Sequence, residues 1–254
     1  MILALGGLVL LMLFVASAAQ KYQAYQYEKE VALRRMLRGI QELEEYILHA
    51  DGSGMPKAFV VMVHKEILAR YVAIGHIHNK LENLSMLLST AQHKLQTAEA
   101  VPDGRMVKPN DRVVLNRYVN GLTGLINFLN NEGHIAGMNE IERTRYVGEL
   151  STLRARIFSE YNVAEAKGLA EQGNWSDSAK YIRAIMGFIQ NHAPVTEEAT
   201  KLYQQANNYY KQIMIKQVPG STVTPKSMQD QIDAAAEKFS ENIAPGEANS
   251  TDAF

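Results

Sequence analysis

The sequence predicts an all-α protein: an N-terminal transmembrane helix that runs on into a long helical hairpin, then a small multi-helix domain and a disordered tail. Three observations predict it. Ile2 to Ala19 is a run of eighteen uncharged residues. Apolar residues then recur at three- and four-residue spacing through most of the chain, and no segment alternates with the period of two that a half-buried strand requires.

The first segment, 1–19, reads as the anchor. Eighteen helical residues rise about 27 Å, close to the roughly 30 Å hydrocarbon core of a bilayer. Ala16-Ser17-Ala18 has the small-x-small form of a signal-peptidase site, but no Lys or Arg precedes the run, and the run is long for a cleavable h-region. Lys21, Lys29, Arg34, Arg35 and Arg38 all follow it, and this asymmetry retains the C-terminal side in the cytoplasm. Tyr22, Tyr25 and Tyr27 fall where an interfacial aromatic belt belongs. The membrane interface is therefore assigned to Lys21, Tyr22, Tyr25, Tyr27, Arg34, Arg35 and Arg38, with the N-terminus out and the body inside the inner (plasma) membrane. The alternative is a cleaved signal and a periplasmic body.

The helical hairpin occupies 20–100. Leu33, Met36, Ile40, Leu43 and Ile47 form a two-heptad seam, so anchor and first arm read as one rod. Two heptads are short for a free-standing coiled coil, and the seam is expected on a neighbouring helix of the same chain, with docking to a copy or another protein as the alternative. The rod ends at DGSGMP, where Gly52 and Gly54 break the helix and Pro56 suits the next first turn. Lys57 to Ala100 is helical throughout by period. Unbroken, it would span about 66 Å against about 45 Å for the first arm, so it must bend or diverge, and Gly75 is the interior candidate.

The turn-rich AVPDGRMVKPND opens the domain 101–217. Its first helix, near Asp111 to Asn131, carries Leu115, Tyr118, Leu122, Leu125 and Leu129, with Gly121 and Gly124 admitting a close partner and Gly133 as its stop. The next starts after Asn139, which with Glu142 forms a capping-box pair, and its stripe runs Tyr146, Leu150, Leu153, Ile157, Tyr161, Ala164. Two more carry Ala179, Ile182, Met186, Ile189 and, after Pro194, Ala199, Leu202, Ala206, Tyr210, Ile213. AEQGNWSDSAKYI, Ala170 to Ile182, resembles the turn of a tetratricopeptide hairpin through Gly173, Trp175, Ser178 and Ala179; the resemblance covers about 160–193 and implies one antiparallel helix pair. Asn162 and Glu165 depart from the pattern, and no second copy follows at a period of 34, so no solenoid is implied. In the tail, 218–254, Thr224-Pro225 with Met228, Ile232, Ala235 and Phe239 predicts one short amphipathic helix, which either folds back on the body or is presented to a partner.

Chemistry leaves no mark. Lys plus Arg is 26 against 27 acids, which gives no basic excess for nucleic acid, and the absence of cysteine removes thiol and Cys-ligated metal chemistry. His76 and His78 stand about 200° apart on a helix and cannot share a metal without a break. Glu45 and His49 share a face but are read as an exposed polar pair, and the acids Glu42, Glu44 and Glu45 as a solvated face. Gly52-Ser53-Gly54 lacks both the spacing and the preceding strand of a nucleophile elbow. The expectation is a membrane-anchored scaffold, adaptor or assembly protein with a protein partner or a copy of itself, no enzyme activity, no cofactor, no metal and no nucleic acid. An exported helical protein that binds a ligand or partner is the alternative.

Overall fold

A computed structural model describes residues 2–78, 81–102, 106–131, 135 and 137–217, with the backbone alone at 2–11 and 13. The described residues are all-α: α1 (Ile2–Ala50), α2 (Lys57–Ile77), α3 (Leu84–Ala100), α4 (Arg112–Asn131), α5 (Glu140–Glu171), α6 (Trp175–His192) and α7 (Glu197–Gln217). They fall into two compact units, Met1–Ile157 and Phe158–Phe254.

In the first unit α1 is a single unbroken helix of 49 residues. Among the described residues no helix is long and apolar enough to cross a membrane. The predicted anchor, 1–19, rests on side chains that lie largely outside the described residues. At its other end α1 is seated on the body. Ile40, Leu43 and Ala50 are fully buried there, and Leu33, Met36 and Ile47 are half-buried. Each aliphatic side chain withdrawn from water contributes about 1.5–3 kcal/mol, which stabilises this end.

The seat is made by α2 and α4. A Cβ on Gly121 would stand 2.6 Å from the Ala50 nitrogen and 2.8 Å from the Tyr46 carbonyl oxygen, and one on Gly124 would overlap the Tyr46 ring. Only residues without side chains let α4 approach α1 so nearly. Around the Asp51–Pro56 turn, Gly52 and Gly54 adopt φ of +80° and +88°. The Val107 N–H donates to the Gly52 carbonyl at 2.8 Å, tying the 106–110 segment to this turn. The linker near 101 therefore does not divide the compact units, because α4 returns to α1 beyond it.

The stretch 57–100, expected as one helix, is two. α2 ends at Ile77, His78 leaves the helical region (φ −132°, ψ 74°), and Asn83 enters the left-handed region at φ 66° before α3 begins. Apolar residues continue at three- and four-residue spacing across the break, and so conceal it. Gly75 stays helical; a Cβ there would meet Leu84 Cδ2 at 3.2 Å. Lys65 on α2 faces Glu99 on α3 at 3.6 Å, and Glu44 on α1 accepts from Lys94 on α3 at 2.8 Å.

α5 opens with a reciprocal cap: the Glu142 N–H donates to Asn139 Oδ1 at 2.9 Å, and the Asn139 N–H donates to Glu142 Oε2 at 3.1 Å. Its first half buries Tyr146, Leu150, Leu153 and Ile157 in the first unit, with the Phe59 and Tyr146 rings 5.1 Å apart. Beyond Ile157 the buried face turns. Ser159, Asn162, Ala166 and Ala170 are buried, whereas Tyr161 is half-buried and Ala164 exposed, unlike the expected stripe.

In the second unit α5 continues into α6 through Gly173 (φ +80°), and Asn174 caps α6 by accepting from the Asp177 N–H at 3.3 Å. The Ser178 hydroxyl donates to the Ala166 carbonyl at 2.7 Å, and Phe158 and Phe188 stack at 4.1 Å, so α5 and α6 run antiparallel. α7 packs back along α6 and buries Ala199, Ala206 and Ile213. The expected tail helix and the stop at Gly133 lie outside the described residues.

Candidate functional site

The residues assigned to a membrane interface all lie on α1. Tyr22, Tyr25 and Tyr27 are 65%, 59% and 68% exposed, and Lys21, Arg34, Arg35 and Arg38 are exposed as well. At about 100° per residue, Lys21, Tyr22 and Tyr25 fall on one side of the helix and Tyr27, Arg34 and Arg38 on the other. Along the axis, Lys21 to Tyr27 stand roughly 3–12 Å beyond Ala19, and the arginines roughly 22–28 Å. Arg34 is also paired with Glu30 at 2.6 Å.

Polar groups inside the first unit serve its packing. Glu66, 7% exposed, accepts from Arg70 Nε at 2.7 Å. The Arg70 guanidinium lies 5.3 Å from the Phe128 ring centre, and Gly39 makes room for it, since a Cβ there would stand 2.9 Å from Nη1. This ion pair closes the junction of α1, α2 and α4. The i, i+4 spacing of Glu66 and Arg70 is visible in the sequence, but their burial is a product of tertiary packing.

Next to it, His64 sits by the Glu44–Lys94 pair. Burial first, then the Lys94 charge, holds its imidazole below the usual histidine range, with Glu44 opposing. Burial and Glu44 push the Tyr71 phenol up. Among the described residues no group of three His, Asp or Glu is arranged to hold a metal. α2 ends between His76 and His78. Ser53 is fully buried in a helix-to-helix turn, far from the geometry of a strand-to-helix nucleophile.

The second unit contains a groove of about 500 Å³ between the end of α5, the start of α6 and the last turns of α7. Trp175 and Tyr209 line it together with the buried Ala170 and Ile213 and the exposed Lys167, Glu171 and Lys216. The Lys216 ammonium lies 5.3 Å over the Trp175 ring. An aromatic, partly apolar recess suits an apolar segment, and two lysines against one glutamate leave its rim with a small positive excess. Trp175, singled out above for its place in the hairpin turn, is the sequence signal of this groove. The lysines and Tyr209 come from helices that only the fold brings together. No known protein family, curated protein or solved structure matches the chain.

Proposed function

We propose that this chain is a single-pass, N-terminally anchored helical protein whose body lies on the cytoplasmic face of the membrane and acts as a scaffold, adaptor or assembly factor. The observation that carries the reading is the uncharged run Ile2–Ala19 leading, within one unbroken helix, into a band of lysine and tyrosine and then the seated end of α1. Lys21, Tyr22 and Tyr25 share one side of the helix, and Tyr27 with Arg34 and Arg38 takes the other, so polar and aromatic groups stand on both sides. That suits a helix crossing the headgroup layer, whereas one lying in the interface plane would gather its charged and apolar groups on opposite sides. The arginines add to the charge asymmetry that orients the segment. In this reading no side chain carries covalent chemistry. The body presents surfaces, and its partner is another protein or a second copy.

C-terminal fusions test the orientation. A fluorescent protein there should be bright and alkaline phosphatase inactive; active phosphatase would place the body outside and sink the cytoplasmic reading. Ala16-Ser17-Ala18 favours a second reading, an exported body freed by cleavage. Mass spectrometry of the mature N-terminus separates the two, because cleavage after Ala18 would leave Ala19 as the first residue. Crosslinking in native membranes followed by identification of the captured chains distinguishes a partner from self-assembly.

A further inference from the structure

We propose that the Trp175 groove is the seat of the chain's own tail segment Thr224–Phe239. Attachment is the first argument. α7 ends at Gln217, next to Lys216 of the groove, and only residues 218–223 separate Gln217 from Thr224. Fully extended, such a tether reaches roughly 20–25 Å, and a short flexible link holds its cargo at an effective concentration in the millimolar range. Shape is the second. Met228, Ile232, Ala235 and Phe239 are spaced i, i+4, i+7, i+11, which on a helix places them within about 60° of one line. Such a stripe needs an apolar surface, and Ala170, Trp175, Tyr209 and Ile213 offer one beside the tether's root.

Charge is the third. Residues 218–254 contain six acids (Asp230, Asp233, Glu237, Glu241, Glu247, Asp252) and two lysines (Lys226, Lys238), whereas the rest of the chain has 24 bases and 21 acids. Asp230, Asp233 and Glu237 fall on the side of that helix away from the stripe. The attraction to Lys167 and Lys216, reduced by Glu171 on the same rim, is therefore a weak general field, screened by salt, rather than a set of pairs. Burial of the stripe supplies the affinity. The groove is thereby occupied in cis, and an outside partner must displace the tail to use it. The seat does not depend on which side of the membrane the body occupies.

Trp175 is the single tryptophan of the chain, so its emission reports the groove directly. The experiment compares acrylamide quenching in the full chain, a chain ending at Gln217, and a full chain carrying Ile232→Asp and Phe239→Asp. Shielding by the seated tail should make quenching of the full chain about twofold weaker than in either variant. A peptide of residues 222–243 added to the shortened chain should restore the shielding saturably, and the same peptide with both aspartates should not. Equal quenching in all three chains, or equal shielding by both peptides, overturns the proposal. Shielding lost on dilution of the full chain also overturns it, by assigning the groove to the tail of a second copy.

Discussion

Glycine does two opposite jobs in the helices of this protein. At Gly121 the atoms a side chain would strike are the Ala50 nitrogen and the Tyr46 carbonyl oxygen, backbone that cannot swing aside. Gly121→Val should therefore cost about 3 kcal/mol or more in urea unfolding, at the upper end of overpacking effects. Gly148 and Gly168, within α5, have nothing within 4 Å of where a Cβ would stand. There Gly→Ala should raise stability by about 0.5–1 kcal/mol, since alanine restricts the unfolded chain and fits the helix. Two of the i, i+4 ion pairs separate in the same way. Glu66→Ala should cost about 1.5–3 kcal/mol because it removes a charge-assisted hydrogen bond from the half-buried Arg70. Glu30→Ala removes the equally short but exposed contact to Arg34 and should change stability by less than about 0.5 kcal/mol. A denaturation series with all these variants decides whether packing or contact length governs the outcome.

At the scale of elements, α3 is the weak member. Of its described side chains only Ala91 is buried, whereas α4 buries nine residues, so the amides of α3 should exchange with solvent well before those of α4 in a hydrogen-exchange time course. Two ion pairs, Glu44–Lys94 and Lys65–Glu99, tie it to α1 and α2, with His64 near the first. The His64 imidazole is held below its unfolded value, so between that value and the lower folded one the unfolded chain binds the extra proton. Its contribution is then complete above about pH 6.5 and is lost as pH falls through the window beneath. The melting temperature should drop on acidification over that window, and less so in His64→Asn; an equal drop in both proteins would assign the effect to other groups. The elements also show what a sequence reveals. The Asn139–Glu142 cap, the α1 break at Gly52 and the small-residue face of α4 were legible because each depends on residues a few positions apart. The break after Ile77 was hidden, since residues 78–83 include neither Gly nor Pro and interrupt no apolar spacing. The rotation of the α5 face past Ile157 and the groove around Trp175 were hidden too, because they depend on which distant helix arrives.

As a whole the chain is two compact units that share α5, and Trp175 belongs to the second. Ile182 is fully buried there, so Ile182→Ala should cost about 2–5 kcal/mol within that unit. Tryptophan fluorescence should then report a lowered unfolding midpoint, while far-UV circular dichroism keeps a later transition; a single coincident shift would mean that the units unfold as one. α1 bears on the molecule differently. Because it is unbroken from residue 2 to residue 50 and its lower end is keyed into Gly121 and Gly124, the rotational phase of every residue above the seat is fixed by that lock. One residue inserted between Tyr27 and Gly39 would swing the upper helix by about 100° about its axis, and four would bring it back to within about 40°. A partner that grips both the upper helix and the body would be lost with the first insertion and regained with the second, which makes the rod an index of angle as well as of distance.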